Sequence, residues 1–95
     1  MTKQELVQKM QEGNAWIPGK KVKLDFGSEG AIMLDGAGQA VTEDDGDADT
    51  TIKIAWDDWQ AMAAGQLDGM TAFMTGKLKI EGDMGVAMKL QSILR

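Results

Sequence analysis

The chain has 95 residues, of which 43% are hydrophobic, 26% are charged and one is a proline. This composition predicts one small globular domain over residues 1–95 and excludes a disordered tail or a multidomain enzyme. Because the chain has no Cys and no His, thiolate and imidazole chemistry are excluded, together with zinc sites that use sulfur or imidazole ligands.

The net charge of −5 is unevenly distributed. Residues 25–58 carry one lysine against ten acidic residues, whereas the segments on either side are slightly positive. This acidic centre argues against nucleic acid as a partner, because binding its backbone needs many cationic contacts. The lack of cysteine, of an apolar leader and of an apolar run of about 20 residues predicts a cytoplasmic protein that does not span a membrane.

Periodicity and turn residues predict alternating helices and strands. Thr2 and Glu5 have capping-box spacing, and Gly13 can end the first helix. Asp83 can cap the last helix. The predicted elements are a helix at 3–12, strands at 21–26, 31–34 and 39–42, an acidic hairpin loop at 43–49, a strand at 50–54, helical segments at 57–64 and 70–75, a strand at 77–81 and a helix at 84–94.

The last predicted helix is apolar around much of its circumference. Its apolar residues form two lines, one of Met84, Ala87 and Met88 and the other of Val86, Leu90 and Ile93. Such a helix lies between layers, packs on a partner, or has one line on the core and one on an apolar ligand. The chain has eight methionines, whose flexible side chains suit a surface that fits varied apolar shapes but also serve as ordinary core.

Three other motifs lack the features their chemistry needs. The alternating aspartates of 45–49 are not followed by the glycine and bidentate glutamate of a calcium loop. Gly36-Ala37-Gly38 lacks the third glycine of a dinucleotide-binding fingerprint. Asp57 and Asp58 suit the first turn of a helix and have no second group to complete a catalytic site. We therefore predict no metal, no cofactor and no catalytic residue.

Residues 72–90, AFMTGKLKIEGDMGVAMKL, closely resemble the C-terminal signature of the sterol carrier protein domain, the type-two nonspecific lipid-transfer family. The strand ADTTIKI at 48–54 and the Gly-Gln-Leu at 65–67 also fit that family. The resemblance implies an α+β fold, in which a five-stranded, largely antiparallel sheet is covered on one face by helices and encloses a hydrophobic tunnel. It also implies a non-catalytic lipid-binding or carrier domain for a fatty acid, an acyl-CoA or a phospholipid.

The same resemblance implies that the later helices line the tunnel, and transient contact with a membrane would accompany lipid transfer. An alternative from the residues alone is a structural or interaction module without a lipid cavity, in which the last helix contacts a partner or a second copy. The oligomeric state stays open. The predicted lipid contacts are Trp59, Met62, Met70, Phe73, Met74, Met84, Ala87, Met88, Leu90 and Ile93.

Overall fold

The fold was analysed in a computed structural model that describes residues 2–93, with side chains as far as Leu90. The predicted order of elements is confirmed, and each end agrees with the prediction to within one residue. A short 3-10 turn, Gly27–Glu29, joins the first two strands. The elements are α1 (Lys3–Glu12), β1 (Lys21–Asp25), β2 (Ala31–Asp35), β3 (Ala40–Thr42), β4 (Thr50–Ile54), α2 (Trp56–Ala63), α3 (Gly69–Met74), β5 (Leu78–Gly82) and α4 (Met84–Ile93).

The five strands form one sheet in the order β3-β2-β1-β4-β5. The pairs β1/β2, β2/β3 and β4/β5 are antiparallel, which confirms the largely antiparallel sheet, whereas β1 and β4 are parallel. β3 and β4 are not neighbours, so the prediction of a hairpin loop at 43–49 is wrong. This acidic segment instead crosses β2 and β1 to bring the chain from one edge of the sheet to the far side of its centre.

The acidic segment 43–49 lies on the outer face of the sheet, over β1. Lys23 and Met33 are partners in the β1/β2 register, so they share a face. The Nζ atom of Lys23 lies 3.2 Å from Oδ1 of Asp45, which places the segment on that face. Met33 is only 2% exposed there. The segment is tied to β1 by a second contact, since the backbone N–H of Lys21 donates to Oδ2 of Asp49 at 2.8 Å.

The main core lies between the inner face of the sheet and helices α1, α2 and α4. Alternation along β1 points Val22 and Leu24 inward, while Lys21 and Lys23 point outward. The largest fully buried side chains are Leu24, Ile32, Leu34, Leu90, Val22 and Thr50. The helices are therefore fixed to the sheet by close packing of branched aliphatic side chains, which typically contributes about 1.5–3 kcal/mol per buried residue.

Two local devices fix the ends of β5 and α4. Gly82 ends β5 with a φ of 99°, and a Cβ atom there would lie 2.4 Å from the Asp49 carbonyl oxygen, so only glycine fits without displacement. Asp83 follows as the predicted cap of α4, and its Oδ1 accepts from the backbone N–H of Gly85 at 2.9 Å. Strand and helix therefore meet at a sharply defined corner.

Candidate functional site

Helix α4 has one face in the core and one face in solvent. Val86, Ala87 and Leu90 are buried against the sheet, whereas Met84 is exposed and Met88 is 65% exposed. Among the side chains described as far as Leu90, the predicted division into two lines holds except at Ala87, which packs with Val86 and Leu90. One line thus serves the core, and the other has no cover among the described residues.

Helix α3 repeats this arrangement on a smaller scale. Ala72 is fully buried, while Met70, Phe73 and Met74 are exposed, Met74 by 78%. α3 packs against β5, and α4 packs against β4 and β5. The large hydrophobic side chains that are exposed in the described part of the chain therefore all belong to the two helices that flank β5. We call them the exposed apolar set, defined as Met70, Phe73, Met74, Met84 and Met88.

Helix α2 contributes aromatic side chains to the core. The Phe26 ring lies 5.0 Å from the Trp56 ring and 5.8 Å from the Trp59 ring, both in edge-to-face geometry, an arrangement that aromatic rings prefer. The alternation of Val22, Leu24 and Phe26 in the sequence predicts that Phe26 faces inward, but it carries no signal that Phe26 packs against Trp56 and Trp59. Trp59 is buried, and Met62 on the same helix is half-buried.

The structure divides the predicted lipid contacts into two groups. Trp59, Ala87 and Leu90 are core residues, with the half-buried Met62 packed against them. The other group is the exposed apolar set. The Ile93 side chain lies outside the described residues. Contact of these side chains with a lipid therefore stays a prediction. Such contact would involve buried side chains on α2 and α4 as well as exposed side chains on α3 and α4.

Two open depressions lie apart from these residues. One has a volume of about 490 Å³ and follows the side of α2 that carries Asp57, Gln60 and Ala61. The other has a volume of about 380 Å³ and lies where β1 and β4 end and β5 begins, and its lining includes Phe26, Ile54, Lys53, Lys77 and Lys79. None of the predicted lipid contacts lines either depression.

The electrostatics of the site are simple. The Nζ atom of Lys53 lies 3.0 Å from Oε1 of Glu81. This hydrogen bond and the charge of Glu81 raise the pKa of Lys53, with a smaller contribution from Asp25, while desolvation opposes them. Among the side chains that the structure describes, no three acidic groups come close enough to hold a metal ion. No helix in residues 2–93 is long and apolar enough to cross a membrane.

Comparison with known proteins identifies the family that shares this sequence and architecture. A profile of the SCP-2 sterol transfer family matches residues 5–95. Sterol carrier protein 2 of Bos taurus is 43% identical over 70 residues, covering 70% of this chain and 13% of the bovine protein. The solution structure of sterol carrier protein domain 2 of Helicoverpa armigera has a TM-score of 0.68 and 28% identity, covering 97% of this chain and 81% of that one.

A further structure, sterol carrier protein 2 of Aedes aegypti in complex with the C16 fatty acid palmitate, has a TM-score of 0.77 and 17% identity. It covers 95% of this chain and 91% of the mosquito chain. The five-stranded mixed sheet with its helical layer is thus a sterol carrier protein fold. The chain belongs to the SCP-2 sterol transfer family, and it spans 13% of the length of the bovine relative.

Proposed function

We propose that this chain is a non-catalytic lipid carrier, which binds the apolar chain of a lipid between α3, α4 and the β5 side of the sheet. The observation that carries the proposal is the exposed apolar set, on two helices whose opposite faces are built into the core. Exposed apolar patches on small proteins mark binding surfaces. Family membership and the palmitate complex of the mosquito relative support an acyl lipid as the ligand.

Apolar burial alone can supply the affinity. A chain of about 16 methylenes gains about 0.8 kcal/mol for each buried group, or about 13 kcal/mol before the costs of association. Methionine side chains can follow the shape of such a chain, because they are unbranched and have three rotatable bonds. The proposal therefore makes the acyl tail the recognised group, which fatty acids, acyl-CoA and phospholipids share. In this account the tunnel is completed by the ligand as α3 and α4 pack around it.

Transient contact with a membrane is the second part of the proposal. The exposed apolar set lies on α3 and α4, whereas the acidic segment 43–49 lies on the outer face of the sheet, over β1. An anionic lipid surface would repel the acidic segment but would attract the exposed lysines Lys77, which follows α3, and Lys89, which lies on α4. We expect co-sedimentation with phosphatidylcholine vesicles to increase when phosphatidylserine is added. Loss of binding on that addition would contradict this orientation.

Native mass spectrometry of freshly purified protein, followed by extraction and lipid analysis, tests the ligand. We expect a monomer that carries an acyl lipid, and after its removal we expect lipid addition to raise the melting temperature. A lipid-free dimer would favour the alternative in which α4 contacts a second copy. A lipid-free monomer that rejects added palmitate would contradict both.

The variant Met88→Lys tests the binding surface. A charge in place of an exposed methionine should leave the fold intact but oppose an acyl chain, and we expect palmitate affinity to fall roughly tenfold or more. Gln8→Lys is the matched control, because it adds the same charge to an exposed position on α1. Equal palmitate affinities for the two variants would show that α4 does not contact the lipid.

A further inference from the structure

The buried indole N–H of Trp59 is a hydrogen-bond donor that has no partner in the described part of the chain. Trp59 is only 8% exposed, and its Nε1 atom is shielded from solvent. Among the residues that the structure describes, no acceptor lies within hydrogen-bond distance of this atom. An indole N–H can only donate, so the group that would satisfy it must be an acceptor. Buried polar groups in native proteins nearly always have a partner, and an exception calls for a specific cause.

The rest of the described core does not supply that partner. Thr50 is the other buried polar side chain there, and its hydroxyl already donates to the backbone oxygen of Asp83 at 2.9 Å. Phe26 meets Trp59 with the edge-to-face geometry of two aromatic rings and offers no oxygen. A phenylalanine could fill much of the same space without an N–H to satisfy. Packing alone therefore does not require the indole N–H group of Trp59.

The charge of the core restricts the acceptor further. The buried side chains that the structure describes include no lysine and no arginine. A carboxylate or phosphate taken into this layer would lose its hydration without gaining a cation, which is strongly unfavourable. An uncharged oxygen loses much less on burial, and a hydrogen bond accepted from one donor offsets part of that loss. The chemistry of the layer thus fits a hydroxyl, an ester carbonyl or a protonated carboxyl group.

We propose that the Trp59 indole N–H donates a hydrogen bond to an uncharged oxygen of the bound lipid. This inference rests on the proposed lipid-carrier function and adds an orientation, since the oxygen-bearing group of the lipid then faces α2 in the interior. It also adds a selectivity. A lipid with such an oxygen binds more tightly than the matching hydrocarbon, by roughly tenfold for one hydrogen bond.

The indole region of a proton–nitrogen NMR spectrum tests the proposal directly. The chain has three tryptophans, so three indole signals are expected. The variants Trp16→Phe and Trp56→Phe identify two of them, and the third is that of Trp59 without any change at that residue. The probes are 1-dodecanol and dodecane, which share an alkyl chain and differ in one oxygen. We expect the Trp59 indole proton to move downfield with 1-dodecanol and not with dodecane.

Other results separate failure of this inference from failure of the proposed function. If both probes shift backbone signals of α4 while the Trp59 indole signal stays in place, lipid binding stands and the hydrogen bond is refuted. An indole proton that is already downfield without lipid, shows magnetisation transfer from water and does not respond to 1-dodecanol would identify a bound water as the partner and also refute the inference. If neither the probes nor palmitate change any signal, the lipid-carrier proposal fails and the inference fails with it.

Affinity measurements provide an independent readout. In Trp59→Phe the roughly tenfold preference for 1-dodecanol over dodecane should disappear, because the donor is gone while an aromatic ring is kept. Trp56→Phe is the matched control, since Trp56 lies on the same helix and contacts the same Phe26 ring. The control should keep the preference. A preference that survives in Trp59→Phe would overturn the proposal.

Discussion

The centre of the sheet and the exposed apolar set are both strongly apolar, but the first is buried by other side chains of the chain and the second is exposed to solvent. The inward side chains of β1 and β2, such as Leu24 and Leu34, are fully enclosed by the chain itself. Met74 and Met88 extend from helices into solvent. The centre uses branched side chains with few rotamers, and the set uses mainly methionine, which adapts. The chain thus closes one core with its own side chains and leaves a second group of apolar side chains exposed on α3 and α4.

The largest effect that sharpens this comparison is expected within α4 itself. Leu90→Ala removes a fully buried side chain and should lower the free energy of unfolding by about 2–5 kcal/mol through lost burial and a residual cavity. Met88→Ala, two residues earlier on the exposed line, should change it by less than about 0.5 kcal/mol. Urea denaturation of the lipid-free variants measures both. Similar losses would show that the two faces do not differ in the way the structure indicates.

The next effect concerns a glycine that holds the central region together. A Cβ atom at Gly36 would lie 1.6 Å from the backbone oxygen of Ile17, so the two segments must separate in Gly36→Ala. We expect a loss of about 3 kcal/mol in the free energy of unfolding. Gly13→Ala is the control, because its Cβ would lie 3.4 Å from the nearest atom, an oxygen of Lys9, in an ordinary backbone conformation. A thermal melt that ranks the two variants the other way would refute this close approach.

An intermediate effect tests the link between the two regions. The buried Thr50 hydroxyl donates to the Asp83 backbone oxygen at 2.9 Å and so connects β4 to the start of α4. Thr50→Val keeps the shape and removes the donor, and we expect a loss of about 1–2 kcal/mol. Thr51→Val makes the same chemical change on the outer face and should be nearly neutral. If chemical denaturation gives equal midpoints for the two variants, the hydrogen bond does not stabilise this corner.

The smallest effect is electrostatic. Glu81 raises the pKa of Lys53 above its ordinary value of 10.5. A base whose pKa is higher in the folded state stabilises the fold fully below its unfolded-state pKa, and this contribution is lost as pH rises through the folded-state value. Glu81→Gln should therefore lower the melting temperature slightly at neutral pH. The difference should shrink with added salt and vanish at strongly alkaline pH. A difference that grows with pH would contradict this assignment.

Local patterns were sufficient to predict the elements. Capping residues at Thr2 and Asp83 and the alternation along β1 set the ends and the faces of single elements. The same patterns say nothing about which strands pair when they are far apart in the chain. The parallel β1/β4 pair and the crossing of the acidic segment therefore came only from the structure. The charges of 43–49 suggested a solvated hairpin, because a sequence does not show that Lys23 will meet Asp45.

The candidate site was predicted less completely than the fold. The resemblance identified the helices, and periodicity identified two lines on α4. Neither could tell whether the line of Leu90 or the line of Met88 faces the core, since both lines are apolar. The packing of Phe26 on Trp56 and Trp59 was not predicted, because Phe26 follows β1 and the tryptophans lie on α2, about 30 residues later in the chain, and the two segments meet only when β1 and β4 pair.

The parallel pairing of β1 with β4 also has a kinetic consequence. β1, β2 and β3 pair as consecutive antiparallel strands and need only short loop closures. The pairing of β1 with β4 forms only after residues 50–54 are available and the acidic segment has crossed β2 and β1. Long-range pairings of this kind raise contact order and slow folding. We therefore expect the N-terminal hairpin to be protected early in pulsed hydrogen exchange, and the β4-β5-α4 segment to be protected in a later phase. During synthesis β1, β2 and β3 would form a partial sheet with an open edge until residues 50–82, which contain β4 and β5, emerge.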